Sequence, residues 1–155
     1  MGPLRPRVLY VSYDGALEPL GQSQVVAYLE RLSGAAQLTL LSFEKPADLA
    51  DGGRVEAMRR RLDAAGIPWI VRRYRKRPPV VSTAIDVLAG CYAARQWARA
   101  TRPGEPAIVH SRGYVPALIA LFLKRRTGAR FLFDMRGFWV DEKIESGHWS
   151  SDGPV

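Results

Sequence analysis

The sequence predicts an α/β fold, a Rossmann-like open parallel sheet with helices on both faces, in a single domain. Three observations predict it. Short apolar runs rich in β-formers alternate with segments whose apolar residues recur at helical spacing. The first run, Val8 to Val11, is continuously apolar, as a strand covered on both faces requires. The length of 155 residues, with 47% hydrophobic and 25% charged residues, is that of one soluble globular domain.

After the first strand, Gly15, Pro19 and Gly21 break the pattern, and Val25, Val26, Leu29 and Leu32 define a helix. Leu38 to Phe43 reads as the second strand, and 46–53 as a loop. Arg54 to Ala65 reads as a helix with Val55, Met58 and Leu62 on one face and Gly66 closing it. Ile67 to Tyr74 is the third strand, with Pro68 suited to its start or to an edge position. Arg75 to Pro79 is a basic turn, and Val80 to Ala100 is a long, mostly apolar helix ended by Arg102-Pro103-Gly104. Ala107 to Ser111 is the fourth strand. Pro116 to Arg126 is a helix with Gly128 after it, and Arg130 to Asp134 is the fifth strand. Beyond Met135 the periodicity fades. Strands alternating with helices imply right-handed βαβ units and a parallel sheet.

The single cysteine, Cys91, excludes an internal disulfide and fits a reducing compartment. The amino-terminal residues lack the apolar run of a signal peptide, and Val115 to Leu123, interrupted by Pro116, is too short for a membrane span. A cytoplasmic protein, or one peripheral on the inner face of the membrane, is expected. The net charge of +8 is concentrated: residues 54–102 carry twelve Lys/Arg against three Asp/Glu.

Three strand ends should converge at the carboxyl edge of the sheet, where open α/β proteins bind ligands. The loop after the first strand has neither G-x-G-x-x-G nor a P-loop lysine, so neither a dinucleotide fingerprint nor a Walker motif is present. It offers Gly15, Gly21 and the polar run Gln22-Ser23-Gln24, either as a loop approaching a substrate or phosphate through its backbone N–H groups or as a locally capped turn. His110 lies at a strand end with no second histidine or cysteine nearby, so no metal site is expected. Arg112 is the better candidate for a charged substrate group, through a two-bond guanidinium contact, with a surface ion pair as the alternative.

The densest constellation is Asp134-Met135-Arg136-Gly137-Phe138-Trp139-Val140-Asp141-Glu142. Aromatic faces beside acids suit sugar recognition, the ring covering C–H surface and the acids accepting hydroxyl hydrogen bonds. A hydrophobic latch made by Phe138 and Trp139 is the alternative. Arg72, Arg73, Arg75, Lys76 and Arg77 form either a solvated turn or an anionic-membrane contact. No nucleic-acid recognition motif accompanies them, so a nucleic-acid partner is not expected. The helix that follows could lie in a membrane interface or cover the sheet.

On these residues the chain resembles the amino-terminal domain of family-four retaining glycosyltransferases of the GT-B architecture. VLYVSYDGALEPLGQSQV is similar to its first strand, loop and helix, and AIVHSRGYVPALIALFLKRRTGARFLFDMRGFWVDE to its fourth strand, helix and fifth strand. The resemblance implies an acceptor-side domain over 1–149, with 150–155 a disordered or truncated tail. It implies transfer of a sugar, with retention, from a nucleotide-sugar to a glycan or lipid-linked acceptor.

The nucleotide-sugar is a co-substrate bound mainly by a carboxyl-terminal domain, and no other cofactor is implied. That domain, with the family's paired glutamates, is absent from the sequence, so the chain is expected to be inactive alone or to depend on a missing partner domain. The resemblance places Gly15 and Gly21 near the donor diphosphate and acceptor, and Arg136 where many members carry a histidine at the reacting sugar. Other members follow the arginine with an acid, an aliphatic and a tryptophan; here Arg136 and Trp139 are kept and the acid is not. The expectation from a different class is a non-enzymatic binding module docking on anionic membrane through the basic patch.

Overall fold

The computed structural model describes residues 5–100 and 107–135. Arg102-Pro103-Gly104, the catalytic candidate Arg136, the binding candidates Trp139 and Glu142 and the expected tail at 150–155 lie outside the described residues.

The elements are β1 (Arg7–Ser12), α1 (Pro19–Gly21), a π-helical turn (Gln22–Val26), α2 (Ala27–Leu32), β2 (Gln37–Glu44), α3 (Pro46–Ala50), α4 (Gly52–Ala64), β3 (Trp69–Arg73), α5 (Pro79–Arg99), β4 (Ala107–Arg112), α6 (Tyr114–Thr127) and β5 (Arg130–Asp134). The five strands form one sheet in the order β3-β2-β1-β4-β5, and every neighbouring pair is parallel.

Strand alternation sends side chains to two cores. On one face Val8, Tyr10, Leu38 and Leu40 pack with Val25, Val26 and Leu29 of the first helical segment and Met58 and Leu62 of α4. On the other, Leu9, Val11, Leu41, Phe43 and Val109 pack with Ala93, Ala94 and Trp97 of α5 and Ile119, Ala120 and Leu123 of α6. Full burial of a Leu or Val side chain contributes about 2 kcal/mol. The central strands β1, β2 and β4 are buried on both faces, which is why Val8 to Val11 reads as an unbroken apolar run and the other two as mostly apolar ones.

The punctuation acts as expected. Gly66 is left-handed at φ +68°, and Ile67 N–H donates to Leu62 O while Gly66 N–H donates to Asp63 O, closing α4. Gly128, at φ +71°, ends α6. Pro68 immediately precedes β3, an edge strand, where its missing N–H is tolerated.

Two local features differ from expectation. Residues read as a loop contain the one-turn α3, started by Pro46 at its first position. Asp51 then accepts from Arg54 N–H at 3.0 Å and begins α4 two residues earlier than the apolar face indicates. The first helical segment is not uniform: its Gln22–Val26 turn is π-helical, with Ala27 N–H reaching Gln22 O.

Candidate functional site

The chain order reverses at β1: β2 and β3 lie on one side of it, β4 and β5 on the other. The crevice above the carboxyl ends of β1 and β4 is the topological switch point. Register aligns Ser42, Ser12, Arg112 and Asp134 in one row across four strands at this edge. Three of the predicted stretches therefore converge: the first loop, the end of β4 and the end of β5.

Arg112 is the centre of the row. It is 7% exposed, and its Nη2 donates to Gln24 Oε1 at 2.5 Å. Asp14 Oδ2 lies 3.7 Å from Nε and Asp134 Oδ2 lies 3.6 Å from Nη1, within ion-pair range but beyond good hydrogen bonding. Nε is buried without a hydrogen-bond partner among the described residues. The guanidinium is thus neutralised by two partly exposed carboxylates. Gly113 follows at φ +84°, a conformation that favours glycine, and its N–H donates to Asp134 O at 3.0 Å. This turn starts α6 beside the crevice.

His110 sits one layer below, on the same face as Arg112. Its ring packs edge-on against Tyr10 with centroids 4.5 Å apart, and Tyr28 lies at 6.2 Å. Nε2 has no hydrogen-bond partner among the described residues. Burial pushes the imidazole below its ordinary range, so it is neutral at pH 7. Burial pushes Tyr10 up to about 12, with Arg112 opposing the shift.

The first loop is organised from within. Glu44 is fully buried at the end of β2; its Oε1 accepts from Ala16 N–H at 2.7 Å and its Oε2 from Leu17 N–H at 3.1 Å. Ser42 Oγ donates to the same carboxylate at 2.5 Å and accepts from Trp69 Nε1 at 2.7 Å. The expectation that this loop presents free amides to an anion is corrected at these two positions, because an internal carboxylate already holds them.

Gly15 is buried against Glu44, and a Cβ there would meet Oε2 at 2.6 Å. Gly21 packs on the Gly15 carbonyl, too close for any Cβ. Gln22 Nε2 donates to Leu17 O at 3.1 Å, and Ser23 Oγ donates to Leu20 O while remaining exposed. The side chain that reaches the crevice from this helix is Gln24, the last residue of the polar run Gln22-Ser23-Gln24.

Asp86 was not legible in the sequence. It is buried in α5, where it accepts from Arg75 N–H at 2.9 Å, Arg75 Nη1 at 2.7 Å and Tyr13 Oη at 3.0 Å. Burial, then Asp86, pushes Tyr13 up to about 12. Of the basic turn, Arg75 is committed to this pair, Arg72 is half-buried, and Arg73, Lys76 and Arg77 are exposed.

Among the described residues no group of three or more His, Cys, Asp or Glu side chains is placed to hold a metal, and no helix is long and apolar enough to cross a membrane. No protein-family model, curated protein or solved structure matches the chain.

Proposed function

We propose that this domain is the acceptor-side wall of a retaining glycosyltransferase, which moves a sugar from a nucleotide-sugar to a glycan or lipid-linked acceptor. The observation that carries the reading is the buried Arg112 guanidinium at the switch point, flanked by Asp14, Asp134 and Gln24. A polyhydroxylated ligand needs donors and acceptors side by side, and this cluster supplies both: carboxylate oxygens accept hydroxyl protons while the guanidinium and amide donate. The residue pattern at both ends of the chain, VLYVSYDGALEPLGQSQV and FLFDMRGFWVDE, supports the same reading through its resemblance to the family.

The reading divides the labour. Ala16 and Leu17 amides are held by Glu44, so the donor diphosphate falls mainly to a second domain facing this edge. Arg136, two residues beyond Asp134 in sequence, assists there by stabilising the leaving diphosphate.

The test is amide-detected NMR of the chain titrated with glycan and lipid-linked oligosaccharide acceptors and, separately, with nucleoside diphosphates. Shifts at Asp14, Gln24, Arg112 and Gly113 with a glycosyl acceptor are expected. Shifts confined to other surfaces with every acceptor would overturn the reading. In a turnover assay with a partner nucleotide-sugar domain, an Arg136→Ala variant of unchanged rate would remove the role given to Arg136.

A further inference from the structure

Helix α5 turns its apolar residues the wrong way for a helix that only covers a sheet. Its buried positions are Ser82, Asp86, Gly90, Ala93, Ala94 and Trp97, mostly small or polar. Gly90 lets it lie directly on Ile119 and Phe43. The outward stripe is Val81, Ile85, Leu88 and Tyr92, exposed by 55%, 43%, 69% and 62%. The spacing of four, three and four places them on one line of the helix, and Arg95 and Arg99 continue that line. The neighbouring helix α6 repeats the arrangement with Tyr114 and Leu118 exposed, ending in Lys124, Arg125 and Arg126.

Charge on this face has one sign. The sequences of α5 and α6 contain a single acid, Asp86, which is buried and paired with Arg75. Arg73, Lys76 and Arg77 are exposed at the start of α5, while Arg95, Arg99 and Arg126 line a cleft of about 300 Å³ where the two helices end. The opposite face carries both signs: there Arg54 pairs with Asp48 and Arg61 with Glu30.

We propose that the α5–α6 face docks on an anionic phospholipid bilayer, with the Val81–Tyr92 stripe in the interfacial layer and the Arg95–Arg99–Arg126 cleft receiving lipid phosphate. An apolar line flanked at both ends by cations that have no ion pair among the described residues is the pattern of an interfacial helix, and it complements an anionic lipid surface in both charge and polarity. The proposal stands whether or not the carboxyl edge takes a glycosyl acceptor.

The experiment is co-sedimentation of the 155-residue chain with vesicles of phosphatidylcholine alone and of phosphatidylcholine mixed with phosphatidylglycerol. Each cation brought to the anionic surface contributes about fivefold to partition, so a preference of at least ~10-fold for the anionic vesicles, weakening as salt rises, is expected. The exposed triple variant Arg73→Gln, Lys76→Gln, Arg77→Gln cannot disturb the core and should lower binding by about tenfold or more. Leu88→Asp should lower it while leaving the urea midpoint unchanged. Equal partition onto neutral and anionic vesicles, or none onto either, would overturn the proposal. So would a self-associating chain that binds no vesicles and becomes monomeric with Leu88→Asp, since the face would then belong to a second copy.

Discussion

The carboxylate of Glu44 lies 2.7 Å from the amide nitrogen of Ala16, joining the end of β2 to the loop that follows β1. The second oxygen takes Leu17 N–H, and Ser42 Oγ completes the set. Removing the carboxylate leaves two buried amides unpaired, each costing about 1–3 kcal/mol. Glu44→Ala is therefore expected to destabilise the domain by about 3 kcal/mol in urea unfolding, and Glu44→Gln, which keeps one acceptor, by clearly less. Equal stability of the alanine variant and the parent would show that the loop is not held this way.

The same residue gives a pH dependence of known sign. Burial raises the Glu44 carboxyl above its ordinary 4.5, against the pull of Ser42 and the loop amides. A group whose folded value is raised binds the proton more tightly when folded. Its contribution is complete below 4.5 and is lost as pH rises through the folded value. The stability of the parent minus that of Glu44→Gln should fall from pH 4.5 upward. Comparing the pair cancels the opposite trend of His110, whose lowered value costs stability as pH falls. A difference that stays flat, or rises with pH, would contradict the assignment.

Sequence patterning captured the architecture because its signals are local. Val8 to Val11 is an apolar run that a doubly covered strand favours, Leu38 to Phe43 and Ala107 to Ser111 are mostly apolar ones, and Gly66 and Gly128 sit where a helix needs a left-handed residue. Arg112 and Asp134 were legible as strand-end polar residues, since the parallel alternation brings such ends to one edge. Glu44 and Asp86 were not. Each makes its decisive contact across a gap of sequence, to Ala16 and Tyr13 respectively, and a lone polar residue at a strand end or in a helix carries no mark of a distant partner. The outward apolar stripe of α5 was half legible: the helix read either as interfacial or as a cover for the sheet, and nearly every position of it is small or apolar, so periodicity does not say which line faces the sheet.

Gly21 is glycine because of proximity. Its φ of −61° and ψ of −42° suit any residue, but a Cβ would overlap the Gly15 carbonyl, which is backbone and cannot turn aside. Gly21→Ala should cost about 2 kcal/mol or more, against a small effect for Gly34→Ala, whose Cβ would meet nothing within 4 Å. Paired thermal melts of the two variants check this, and similar melting temperatures would count against the close contact.

Asp86 ties the basic turn to the end of β1 through Tyr13. Asp86→Asn keeps the shape but removes the charge facing Arg75, whose side chain is 42% exposed, so solvent limits the loss to about 1–2 kcal/mol. The sharper readout is Tyr13, held at about 12 first by burial and then by Asp86. In Asp86→Asn its titration, followed by tyrosinate absorbance, should move part of the way back toward 10. In the parent, Tyr10 and Tyr13 contribute stability that is present below pH 10 and lost as pH rises through about 12. An unshifted Tyr13 in the variant would place its perturbation in burial alone.

Arg112 separates a binding role from a structural one. Its planar fork reaches Gln24, Asp14 and Asp134 at once, which a lysine ammonium cannot do. Asp14 and Asp134 are 52% and 36% exposed at the side chain, so water can solvate them when the fork is lost. Arg112→Lys keeps the charge between them and loses chiefly the bond to Gln24, so stability should fall by only about 1–2 kcal/mol. A ligand bound in the crevice depends on the geometry of the fork. Acceptor affinity measured by amide shifts should then fall at least ~10-fold in Arg112→Lys, equivalent to about 1.4 kcal/mol, while the His110 and Tyr10 layer beneath keeps its shifts. Undiminished acceptor affinity in this variant would leave Arg112 as an internal ion-pair residue, and the glycosyl acceptor would have to be held elsewhere.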